Sequence, residues 1–83
     1  MSRSGTSVGT VVRWDGQARG AVLEVPGLPG DCWADAAVVE TADGTLRAGQ
    51  VVAVEWTEEP AHGLPFRAVR VQRREDLQAT PGA

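Results

Sequence analysis

Apolar and polar positions alternate with a period of two along most of this chain, in short runs broken by glycine and proline. That period is the signature of half-buried β-strands. Thr10–Trp14 is rich in β-branched residues, and Val12 and Trp14 share a parity. Ala21–Val25 sets Ala21, Leu23 and Val25 against Gly20, Val22 and Glu24, and the first set is the better core. In Cys32–Ala36, the small residues Cys32, Ala34 and Ala36 oppose Trp33 and Asp35. Val51–Thr57 is the clearest case, with Val52, Val54 and Trp56 on one face and Ala53 and Glu55 on the other. Phe66–Gln72 closes the series, with Val69 and Val71 expected inward and Ala68 and Arg70 outward.

The segments between these runs carry turn chemistry. Asp15–Ala18 (D-G-Q-A) joins the first two strands through an Asp-Gly signal. Pro26–Asp31 (P-G-L-P-G-D) cannot continue a ladder, because proline lacks the donor N–H. Ala36–Thr41 suits a short helical turn, and Ala42–Thr45 and Arg47–Gln50 are further turns. Glu58–Pro65, with its prolines and glycine, is expected to be a flexible loop in which the lone histidine, His62, is a bystander. Residues 1–8 and 73–83 are polar and read as flexible ends, leaving residues 9–72 as one domain. Five short strands in so few residues predict an all-β, five-stranded antiparallel barrel. Closure is favoured because a small sheet cannot leave apolar edges unpaired.

Composition narrows the function classes. A chain of 83 residues buries only about 60% of its unfolded surface, so the core is small. The single cysteine, Cys32, excludes an internal disulfide, and one histidine gives no metal cluster. No phosphate loop of the G-x-x-x-x-G-K type is present, and no nucleophile has a base in reach, so an enzyme is not expected. No cofactor is implied. No apolar run approaches a membrane span and Met1–Ser7 is not an apolar signal segment, so a cytoplasmic protein without membrane contact is expected. Net charge is −3 and every basic residue is arginine. An acidic balance argues against binding by bulk phosphate attraction but not against stacking of bases on rings.

The order of residues resembles the bacterial cold-shock domain, whose first strand reads G-T-V-K-W-F and second K-G-F-G-F-I. Here Gly9-Thr10-Val11-Val12-Arg13-Trp14 is followed, in a gapless register, by Ala18-Arg19-Gly20-Ala21-Val22-Leu23. Asp31-Cys32-Trp33-Ala34-Asp35-Ala36 is similar to the family's D-V-F-V-H-F. Leu46, Gly49, Gln50, Val52, Val54 and Glu55 follow its L-x-x-G-Q-x-V-x-F-E, and Ala68 and Val71 its final A-x-x-V. The resemblance implies an OB-fold whose sheet face binds single-stranded RNA or DNA, with roles in RNA chaperoning or in regulating transcription and translation. It also shows what has changed. Rings remain at Trp14 and Trp33, while Arg13, Gly20, Val22, Asp35, Ala36 and Asp43 stand at other platform positions, and Val12 and Ala18 replace lysines.

The expected nucleic-acid site is therefore Trp14 and Trp33 on one exposed sheet face, with Arg13 and Arg67 near the backbone and Asp31 accepting from a base, a loop Asp bonded to its own backbone being the alternative for Asp31. Arg70 is a further candidate for phosphate, with solvated pairing to Glu24, Asp35 or Glu55 as the alternative for all three arginines. Trp33 packing under a loop is the alternative for that ring, and Trp56, in phase with Val52 and Val54, is expected in the core. The second functional class is an OB module that has lost its platform and binds a protein partner, suggested by Val22, Asp35, Ala36 and Asp43 where rings or cations belong.

Overall fold

The computed structural model describes residues 3–74. Its strands are β1 (Ser4–Asp15), β2 (Gly20–Glu24), β3 (Cys32–Asp35), β4 (Val39–Glu40), β5 (Val51–Thr57) and β6 (Phe66–Arg73), with a 3-10 turn at Ala36–Val38 before β4. The order β3-β2-β1-β5-β6 closes on itself through a β3–β6 pairing, giving a five-stranded barrel with the short β4 added beside β6. No helix among the described residues is long and apolar enough to cross a membrane.

The expectation of a wholly antiparallel barrel needs correction. β3 and β6 run parallel, with Cys32 opposite Phe66 and Trp33 opposite Arg67, and β4 is also parallel to β6. An odd number of strands cannot alternate direction around a closed ring, so one neighbouring pair must be parallel.

β1 begins at Ser4, earlier than the alternation alone places it. Its N-terminal half pairs with β5 from Ser4↔Thr57 to Thr10↔Val51, and its C-terminal half pairs with β2. One long strand thus serves two neighbours, and Ser4–Val8, expected to be a flexible end, is held by the β5 ladder. Of the expected C-terminal tail, Arg73 ends β6, while residues 75–83 lie outside the described residues.

The interior is formed by the parity read from β2, β3 and β5. Ala21, Leu23, Val25, Cys32, Ala34, Val52, Val54 and Trp56 all belong to the core cluster, joined by Val11, Val39, Leu46, Phe66, Ala68 and Val71. Trp56 meets Phe66 edge to face at 5.6 Å, and its Nε1 donates to Ser7 Oγ at 3.4 Å, so the indole gains both packing and a polar contact. β6 departs from expectation: Ala68 is buried and Val69 exposed. The β5–β6 register shifts between Glu55 and Trp56, which pair with Arg70 and Ala68, leaving Val69 as the extra residue of a bulge.

Candidate nucleic-acid interface

A second bulge decides where the first two candidate residues point. On β1 the register with β2 runs Val11↔Leu23 and then Arg13↔Val22, passing over Val12. An extra residue flips every side chain that follows it to the other face. Val11 and Trp14 consequently face the interior with Leu23 and Ala21, and Arg13 turns outward opposite Val22. Trp14 is half-buried and packs against the core cluster. It does not share an exposed face with Trp33, as period-two counting through Val12 expects.

The outer face carries a different set, assembled strand by strand. Arg13 on β1 pairs with Val22 on β2, Val22 with Trp33 on β3, and Trp33 with Arg67 on β6. Cross-strand partners lie on the same side of a sheet, so these residues form one row around the barrel. Adjacent strands are about 4.8 Å apart, which spaces the two arginines roughly 14 Å along the sheet. Beside the row, Gly20 pairs with Asp15 on one side and Asp35 on the other.

Arg13, Asp15, Asp35, Arg67 and Arg70 each have a local partner. Asp15 Oδ1 accepts from the backbone N–H groups of Gln17 and Ala18 at 3.0 Å each, forming the β1–β2 turn, while Oδ2 lies 3.8 Å from Arg13. Asp35, which the sequence presents as an anion on the ligand face, accepts from Ala37 N at 3.0 Å and caps the 3-10 turn. Arg67 meets Glu59 at 2.9 Å. Arg70 is engaged elsewhere: Nε donates to Glu40 Oε2 at 2.7 Å, and Glu55 lies 3.8 Å away. Asp31 is half-buried at the entry to β3, at the edge of the row, where its charge adds to burial in raising the Cys32 thiol to about 12.

Trp33 lies on the face that parity assigns it and outside the core cluster, but it is not the exposed platform expected. Only 3% of its surface is accessible. Below, its indole lies on Gly20, where a β carbon would approach Cε2 to 2.8 Å. Above, the imidazole of His62 stacks on it with ring centroids 4.1 Å apart and planes 25° apart. His62 is therefore no bystander, and the Glu58–Pro65 segment, rather than the Pro26–Gly30 loop, supplies the cover. Trp33 Nε1 is buried without a hydrogen-bond partner.

The covering segment has its own turn. Ala61 and Leu64 exchange backbone hydrogen bonds at 2.9 Å each, with His62 (φ 50°) and Gly63 (φ 79°) between them in the left-handed region. Two central residues with positive φ make the tight hairpin turn of the I′ kind. The His-Gly pair was the available sequence signal, but nothing local tells which ring the turn approaches. Next to the stack a groove of about 570 Å³ runs past Trp33, Asp35, Val38, His62, Arg67 and Val69.

Compared with known proteins, the chain matches no family model and no curated protein. The geometry of the row and its cover therefore bears the functional argument.

Proposed function

We propose that this chain is an OB-type barrel of the cold-shock kind that binds single-stranded RNA or DNA, weakly and with little base preference. The carrying observation is the continuous Arg13–Val22–Trp33–Arg67 row, which alternates the chemistry a single strand needs. With the His62 ring displaced, the indole of Trp33 would offer a π-face to any base, and the arginines at the two ends of the row offer phosphate contacts. Asp31, two residues before Trp33, stays in the proposed contact set as an acceptor from a base, whereas Trp14 leaves it. Five strands with a parallel β3–β6 closure are consistent with the OB arrangement. The roles implied by the resemblance are RNA chaperoning or control of transcription and translation in the cytoplasm.

The test is titration with short oligo-dT and oligo-U at low and moderate salt, followed by tryptophan fluorescence. A saturable change that weakens with salt supports the reading. No change at high micromolar oligonucleotide in low salt overturns it.

A protein partner is the second reading. Three valines, Val8 (44%), Val12 (45%) and Val69 (45%), stand exposed on the described strands, and the chain carries more acid than base. A complex held by these valines would change little with salt, in contrast to one held through phosphates.

A further inference from the structure

We infer that the turn between β5 and β6 is a built-in competitor of the nucleic acid, with His62 standing in for a base and Glu59 for a phosphate. This inference rests on the nucleic-acid reading and adds how that site is kept closed. Two independent contacts of one short segment carry it. His62 covers the free face of Trp33 in a stacked arrangement, at 4.1 Å and 25°, the kind of face-on contact a base would make. Glu59, at the foot of the same segment, places Oε2 2.9 Å from Arg67, the cation next to Trp33 in the row. The segment thus satisfies the ring and the cation together, in the combination that a nucleotide would offer.

The surroundings suit displacement rather than permanent packing. The segment is fixed at both ends. Glu58 bonds Arg3 at 3.1 Å, and Pro65 sits against Gly30 so closely that a β carbon there would come within 2.5 Å of its ring. Between these anchors the turn is held by its own two hydrogen bonds, and it is exposed at Glu59, Pro60, His62 and Gly63. His62 holds a positive φ of 50°, which a non-glycine residue adopts at a cost. Under the stack, the partnerless Trp33 Nε1 leaves a buried donor that the closed state does not satisfy. The groove beside the rings, walled by Val38, Arg67 and Val69, gives an entering base a path to the indole without unfolding the barrel.

A closed site lowers apparent affinity by the fraction of time it is open, so a segment closed nine-tenths of the time weakens binding about tenfold. The experiment compares the full chain with His62→Asn and Glu59→Gln. Asparagine accepts the left-handed backbone of the turn but has no ring, and glutamine keeps the size of Glu59 without its charge. Acrylamide quenching, with oligonucleotide absent, reads the cover; oligo-dT affinity at one low salt concentration reads the competition. In a Trp14→Phe background, His62→Asn is expected to raise the quenching constant. Both variants are expected to bind oligo-dT several-fold more tightly, about tenfold when combined. Unchanged quenching in His62→Asn overturns the inference, because the ring then does not shield Trp33. Raised quenching with equal or weaker oligonucleotide binding also overturns it, since His62 would then be a ligand contact and not a competitor. Raised quenching with no binding by any form removes the nucleic-acid reading itself, and the competition with it.

Discussion

Gly20 and Trp33 are fitted to each other across the β2–β3 ladder. The indole occupies the space that a β carbon at residue 20 would need, and the carbonyl oxygen of Ala34 would lie 2.6 Å from that carbon. A carbonyl in a ladder cannot withdraw as the end of a flexible side chain can. Gly20→Ala is therefore expected to cost about 1–3 kcal/mol, the range for overpacking a filled site. Urea unfolding followed by circular dichroism measures it. An unchanged midpoint would mean that the indole is free to move off Gly20.

Cys32 gives a prediction at alkaline pH. Burial first, and the nearby Asp31 charge second, push its thiol up to about 12, so the folded chain keeps the proton after the unfolded chain has released it. Between the ordinary thiol range and about 12 the folded state binds more protons than the unfolded one, and stability falls as pH rises. The contribution is complete below the unfolded value and declines at about 1.4 kcal/mol per pH unit above it. Replacing Cys32 with alanine is expected to flatten this limb of a stability–pH curve. The native thiol is also expected to react with a disulfide reagent only at the rate of unfolding. Fast labelling at neutral pH would contradict the buried position.

Glu40 makes the opposite prediction in acid. Its carboxylate accepts from Arg70 at 2.7 Å and from Gln72 at 3.2 Å, and these bonds, Arg70 foremost, hold its titration below the ordinary glutamate value. A lowered value means that the contribution is present above the ordinary range and is lost as pH falls through the lowered one. Wild type should therefore exceed Glu40→Gln in stability at neutral pH, by a margin that shrinks in acid and in high salt, since all three side chains meet solvent. A margin that is constant with pH would show that the ionised carboxylate is not what ties β4 to β6.

The row itself predicts a salt dependence. Two arginine–phosphate contacts on a single strand give a slope of log affinity against log salt near −1.4, about −0.7 for each. Arg13→Ala and Arg67→Ala should each remove about half of that slope, whereas Arg70→Ala should leave it unchanged, because Arg70 lies outside the row, opposite Glu55 and bonded to Glu40. Equal slopes in all three variants would place the phosphate contacts away from the row.

Much of the barrel was legible from residue order because side-chain parity in a strand is local. The inward sets of β2, β3 and β5, the core position of Trp56 and the Asp15 turn all follow from neighbours within a few residues. The outward parity of Trp33 was legible for the same reason. The bulges at Val12 and Val69 were not, since an extra residue is defined only against the partner strand that skips it. Each one changed the site: the first turned Trp14 inward and Arg13 outward, and the second turned Ala68 inward and left Val69 beside the groove. The parallel β3–β6 closure came from the odd number of strands in the ring, a property of the closed assembly. The stack of His62 on Trp33 lies furthest from what sequence can decide. A His-Gly pair specifies a tight turn, but only the folded chain brings that turn over one particular ring. Local order thus determined which residues face which way along three strands. Long-range pairing decided which of them meet, and which are covered.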